Sequence, residues 1–340
     1  MVNIKDVAKK AKVSVATVSH VINNTRFVSD NLRNRVTKAI EKLDYQPNAL
    51  AGSLRSDQSC TVGFICPDTS NMLFADISKR IEDIFFSKGY NTIFCNSGYN
   101  SNKELQIINT LRTKRVDGIM LVPVDRTDIN IAKLASSGIF TVILDRKIPK
   151  VKLPTIIVDN EKGVYEATKY LLELGHKDIG YIDRKTPHSH SIARLKGYKK
   201  ALKEQGISLM SNLIVKGGLR YEDSFITMKE LLKIKPTPTA IITFNDTAAI
   251  GAMRAISDSR LRIPQDISII GFDDVKLCEY TVPRLTSIHY PVEEVVEVAA
   301  SILLSGMQKN NKKNIPSQNE FVIAPKLIIR ESTGPANRKS

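Results

Sequence analysis
The side chains best suited to chemistry stand at the ends of apolar runs. Asp145-Arg146 follows Val142-Ile143-Leu144, Asn245-Asp246 follows Ile241-Ile242-Thr243-Phe244, and Asp273-Asp274 follows Ile269-Ile270-Gly271-Phe272. Arg194 lies in Arg194-Leu195-Lys196-Gly197-Tyr198. Carboxylate acceptors beside guanidinium and amide donors match the adjacent hydroxyls of a polyol. The same residues have structural uses, Asp145-Arg146 as a surface ion pair and Asn245-Asp246 as a helix start with Asp246 as its cap. Catalysis is harder to support. The chain has no Gly-rich phosphate loop, no Gly-x-Ser-x-Gly elbow and no histidines at metal-ligand spacing, so Asp273-Asp274 lacks a nucleophile or metal to work with. Binding without turnover, and without a cofactor or metal, is the expectation.

A second group of residues suits a different ligand. The spacing of Val18, Val21 and Ile22 predicts a helix over 15–23 that carries Ser14, Val15, Ala16, Thr17, Ser19 and His20 on its outer side. Lys5, Asn23, Asn24 and Arg26 flank it with donors for phosphate or guanine. Short side chains near a helix start can reach base edges while hydroxyls and amides bond phosphates, as in the second helix of a helix-turn-helix. Further helices are predicted over 4–11 and 30–43, with Ser14 and Ser29 as N-caps. A net charge of +15 agrees with a nucleic-acid partner but is not specific to one.

The elements behind these residues fall into two regimes. Residues 47–54 are too few for a stable isolated helix and include Gly52, so they should be ordered only conditionally. From Thr61 onward, β-rich runs at 61–66, 91–95, 118–122, 140–144, 155–158, 179–182, 240–244 and 267–270 alternate with longer helical segments, the pattern of an α/β domain with parallel sheet. Eight such runs suggest two similar lobes dividing near Asp159-Asn160. Ligands bind beyond the carboxyl ends of parallel strands, where the first group of residues lies. Cys60, Cys66, Cys95 and Cys278 have apolar neighbours and no metal or redox spacing, so all four are expected to pack. No apolar run reaches the ~18 residues of a membrane span and the start lacks an export signal, so a cytoplasmic location is expected. The tail after Glu331 should fray.

Ile4-Lys5-Asp6-Val7-Ala8, Val13-Ser14-Val15-Ala16-Thr17-Val18-Ser19 and Val21-Ile22-Asn23 resemble the head of the lac repressor (LacI/GalR) family of transcription regulators. The run from His20 to Val28 is similar to the purine and ribose repressor branch, and the match continues through Tyr45, Pro47-Asn48 and Leu54. The resemblance implies that Val15, Ala16 and His20 read bases, while Lys5, Thr17, Ser19, Asn23, Arg26 and Tyr45 position the protein on DNA. It also implies that Leu54 enters the minor groove as a wedge, at an unstacking cost of a few kcal/mol, with Arg55 near a phosphate. The other reading of Leu54 is an anchor for the next domain. Gly52 stands where the family often has Arg.

The rest of the chain resembles the family's effector domain and the related periplasmic sugar-binding proteins. This implies a head at 1–46, a hinge and linker at 47–59, and a two-lobed effector-binding and dimerisation domain at 60–340 with crossings near 160, 290 and 320. Residues matching Asp145, Arg146, Arg194, Asn245 and Asp273 contact ligand in those relatives, and Phe272 accompanies them. Asn71-Met72-Leu73-Phe74 replaces the common Asn-Pro-Phe-Phe, Leu219 replaces a frequent aromatic, and Tyr290 replaces the usual Gln. The implied effector is a sugar or sugar acid, with Arg146, Arg194 and His188 or His190 supplying charge. A homodimer on an inverted-repeat operator is expected, and no leucine heptads follow Arg330 to build a tetramerisation helix.

Overall fold
Capping chemistry fixes the first two helices. Asn3 Oδ1 accepts from the backbone N–H of Lys5 and Asp6, and Asp6 accepts in return from the N–H of Asn3, a capping box that starts α1 (Ile4–Ala11). Ser14 Oγ accepts from the N–H of Thr17 at 3.0 Å and starts α2 (Val15–Asn23). Ser29 does not cap α3 (Asp30–Leu43) as predicted: its side chain makes no capping bond, and its carbonyl takes the N–H of Arg33 instead. Val7, Ala11, Val18, Val21 and Val36 form the core of these helices, with Ile22 and Tyr45 packed against it. Arg35 donates to the carbonyls of Ala11 and Lys12, joining the end of α1 to α3.

The computed structural model describes residues 2–46, 58–124, 128–146, 151–186, 189–308 and 320–337. Pro47, Asn48, Gly52, Leu54, Arg55 and His188 lie outside them. The chain divides into two compact units, Met1–Cys60 and Thr61–Ser340.

The second unit contains two six-stranded sheets. The first is built from β1 (Thr61–Cys66), β2 (Asn91–Asn96), β3 (Gly118–Leu121), β4 (Phe140–Leu144), β5 (Thr155–Val158) and β11 (Glu320–Ile323), in the order β11-β5-β4-β3-β1-β2. The second comprises β6 (Ile179–Asp183), β7 (Ile214–Lys216), β8 (Ala240–Thr243), β9 (Ser268–Asp273), β10 (Thr286–His289) and β12 (Lys326–Ile328), in the order β12-β10-β9-β8-β6-β7. Every pairing is parallel except that of β10 with β12. The chain passes between sheets after Val158, after His289 and between Ile323 and Lys326. Helix Val292–Met307 therefore follows a strand of the second sheet yet packs on β3, β4 and β5 of the first.

Eight of these strands answer to the predicted runs; β7, β10, β11 and β12 do not. Those four have only three or four residues, and each is defined by the neighbour that hydrogen-bonds it. The described part of the tail, residues 332–337, is also not frayed as predicted. Ser332 is fully buried and donates to the carbonyl of Ile269, Gly334 exchanges bonds with Ser268, and the Ala336 N–H donates to Leu174. Of the cysteines, Cys66 and Cys278 are buried as expected, but Cys95 is only half-buried and Cys60 is exposed.

Candidate functional site
On the head, α2 leaves Ser14, Val15 and Ala16 exposed, while Thr17, Ser19 and His20 are half-buried. Their polar atoms are pre-oriented. Ser14 Oγ and Thr17 Oγ1 are 2.9 Å apart, His20 Nδ1 is 2.8 Å from Thr25 Oγ1, and Asn23 Nδ2 donates to the carbonyl of Ser19. Lys5 and Arg26 are exposed at either side. Tyr45 is half-buried against the core, so its ring anchors the head and only its edge is available. Phe27, 94% exposed beside Arg26, is an apolar surface residue that sequence reasoning passed over.

In the second unit, strand ends from both sheets meet at a cavity of about 60 Å³. Asn71, Leu73, Phe74, Asp145, Arg194, Leu219, Asn245, Asp273 and Tyr290 all line it, as do His190, Asn160 and Phe244. Tyr99 and Arg184 line it too, and sequence reasoning missed both. Side chains fill most of the space between the strand ends. Tyr290 is the foremost of these, buried and donating its hydroxyl to Asp145 Oδ1 at 2.7 Å.

Arg194 is held rigidly. The helix Ser189–Glu204 lies so close to Asn160–Glu173 that a Cβ at Gly197 would meet the carbonyl oxygen of Glu161. This approach brings Arg194 Nε within 2.7 Å of Asn160 Oδ1, while one terminal nitrogen donates to the carbonyl of Phe244. The guanidinium stacks 3.4 Å from the Phe272 ring centroid and 4.5 Å from that of Phe244. Phe272 therefore acts from beneath Arg194 and does not line the cavity. Burial lowers the Arg194 pKa, against the attraction of Asp273.

The aspartates are positioned by unusual backbone. Asp145 (φ 68°) and Asp274 (φ 58°) are left-handed, a conformation Asp tolerates, whereas Asp273 at φ 111° lies in a region costing of order 1–3 kcal/mol. No donor among the described residues bonds the Asp273 carboxylate, although Asp273 is buried. Burial raises its pKa well above the ordinary carboxylate range, against the nearby Arg194. Across the cleft, His190 bonds the carbonyl of Asp145 at 2.6 Å, and burial lowers its pKa. This contact ties the two lobes together directly.

One expected role falls to a neighbour. Asn245, not Asp246, caps the helix Asp246–Asp258, its Oδ1 accepting from the N–H of Ala248 at 2.9 Å. Its amide nitrogen is left for the cavity. Asp246 points the other way, accepting from Ser287 Oγ and the Val275 N–H, and burial pushes its carboxyl up to about 7. Arg146 also departs from expectation: it donates to the carbonyl of Val124 at 2.7 Å and does not line the cavity. Strand-end position alone could not foresee that turn away from the cleft. Among the described residues, no cluster of His, Cys, Asp or Glu could hold a metal ion, and no helix is long and apolar enough to cross a membrane.

Comparison with known proteins follows this division. A family model for bacterial regulatory proteins of the lacI family matches residues 3–48, and one for a periplasmic binding protein-like domain matches residues 168–333. The chain is 36% identical over 339 residues to the HTH-type transcriptional repressor PurR of Vibrio atlanticus (strain LGP32), covering 99% of this chain and 100% of the relative. Its fold is similar to that of the lac repressor dimer bound to operator and the anti-inducer ONPF, with TM-score 0.87 and 25% identity over 98% of this chain and 99% of the other. A LacI family regulator from Enterococcus faecium with bound ribose gives TM-score 0.73 and 29% identity over 82% of this chain and 100% of the other.

Proposed function
The chain belongs to the lacI family of bacterial regulatory proteins, and we propose that it is a cytoplasmic repressor whose hold on an operator is set by a sugar or sugar derivative bound between its lobes. The observation that carries the ligand class is the pairing of Asp273, buried without a donor among the described residues, with Arg194, a buried guanidinium whose remaining N–H groups those residues do not use. Adjacent hydroxyls accept from one and donate to the other. The ribose bound by the Enterococcus faecium regulator supports the same class.

The head supplies sequence recognition through Val15, Ala16 and His20, with Lys5, Ser14, Thr17, Ser19, Asn23, Arg26 and Tyr45 setting its position. Two copies on an inverted repeat place two heads in successive major grooves, and the hinge residues Leu54 and Arg55 at the centre. A ligand that replaces the Tyr290–Asp145 and His190–Asp145 contacts changes how the lobes close. Coupling of about 1–3 kcal/mol, or about 5–150-fold in operator affinity, is enough for a switch.

Operator selection from random duplexes tests the reading. The enriched sites should be inverted repeats, bound with an affinity that falls steeply with salt because bound counterions are released. Affinity that is equal for all sequences refutes it.

A further inference from the structure
Arg184 stands apart from the hydroxyl-binding pair of Asp273 and Arg194. It follows β6, and its guanidinium lies 5.7 Å from the ring centroid of Tyr99 and 5.8 Å from that of Phe244. Aromatic faces at that distance attract a cation but give it no acceptor. Its Nε is buried without a hydrogen-bond partner, and among the described residues no carboxylate or carbonyl bonds its guanidinium. The nearby acids, Glu222 at the mouth among them, do not bond its guanidinium. Asp183 accepts from Ser191 and Lys216, Asp223 pairs with Lys185 at 2.6 Å, and Asp68 accepts from Ser70 at 2.7 Å.

Arg184 thus brings a guanidinium with no bonded acceptor among the described residues to the boundary between the small inner cavity and a wider mouth of about 650 Å³, both of which it lines. Asn71, Tyr99 and Leu219 also line both, so the two spaces adjoin. Building on the carbohydrate reading, we infer that the ligand is an anionic carbohydrate, its phosphate or carboxylate bound by Arg184 and its hydroxyls reaching inward to Asp273 and Arg194. A neutral hydroxyl would satisfy Nε alone, whereas the oxygens of an anion accept from several guanidinium N–H groups through stronger, charge-assisted bonds. The flanking groups permit this. Burial pushes the Tyr99 phenol up to about 12, so it stays neutral, and burial likewise favours the protonated form of Asp273.

Isothermal titration of the full-length chain with glucose, glucose 6-phosphate, glucuronate, ribose, ribose 5-phosphate and ribonate tests this. At least one anionic compound should bind about ten times more tightly than its neutral parent, and the phosphate and acid arms identify which anion the site takes. Arg184→Gln should weaken that compound about 10- to 100-fold, within the range for a hydrogen bond to a charged group, and weaken the parent sugar much less. Arg184→Lys should keep much of the anion preference, which separates loss of charge from a folding defect. Neutral sugars binding as tightly as their derivatives, or equal loss for both in Arg184→Gln, overturns the inference. If a neutral sugar binds the native chain and is lost in Arg194→Ala, the carbohydrate reading stands without the anionic end. Binding by none of the six counts against both.

Discussion

Arg194→Ala is the sharpest test of the cleft. Of the five N–H groups of a guanidinium, one goes to Asn160 and one to the carbonyl of Phe244, which leaves three for the cavity. Two charge-assisted bonds from these to ligand hydroxyls, at ~1.5–3 kcal/mol each, amount to ~3–6 kcal/mol. At ~1.4 kcal/mol per factor of ten, effector affinity should fall roughly 10²- to 10⁴-fold. The substitution also strands the acceptors on Asn160 and Phe244, so a lower melting temperature should accompany it, and a cooperative thermal transition must first show that the variant folds. Titration calorimetry with the effector then measures affinity, and fluorescence anisotropy on the selected operator, with and without effector, measures the response. Arg194→Lys keeps a charge but not the planar fork stacked on Phe272, and should recover only part of the loss. A folded Arg194→Ala protein that binds effector within about threefold of the native chain would refute the assignment of Arg194 to the ligand.

Two further outcomes follow from named bonds. Ser14→Ala removes the cap of α2 and should cost ~1 kcal/mol of head stability, together with operator affinity; chemical denaturation that shows no loss would mean the 3.0 Å bond to Thr17 contributes nothing. His176 is buried between Thr239 and the carbonyl of Gly334, and burial depresses its pKa below the ordinary 6.5. The unfolded chain therefore takes up a proton first as pH falls, and this site loses stability below about pH 6.5. His176→Gln can keep both bonds without titrating, so denaturation curves at about pH 7.5 and 5.5 should show the native chain losing more stability than the variant. Parallel losses would contradict that sign.

Much of the chain was determined locally. The three head helices, the start of α2 at Ser14 and eight of the strands follow from side-chain patterning and capping, which act over a few residues and so are written in contiguous sequence. The strand-end aspartates were also legible, because a polar residue that closes an apolar run marks where a parallel strand leaves the sheet, and ligands bind beyond those ends. What the tertiary structure decided was the choice of partner. Asn245 and Asp246 are adjacent and chemically similar, yet one caps its helix beside the cavity while the other is taken by Ser287 and Val275, groups about thirty to forty residues away. Arg146 is drawn to Val124, the tail is pinned by Ser268 and Ile269, and Tyr99 and Arg184 are brought to one cleft from different sheets. A hydrogen bond goes to whichever group packing brings within about 3 Å, and sequence spacing carries no record of a neighbour that arrives from a distant strand.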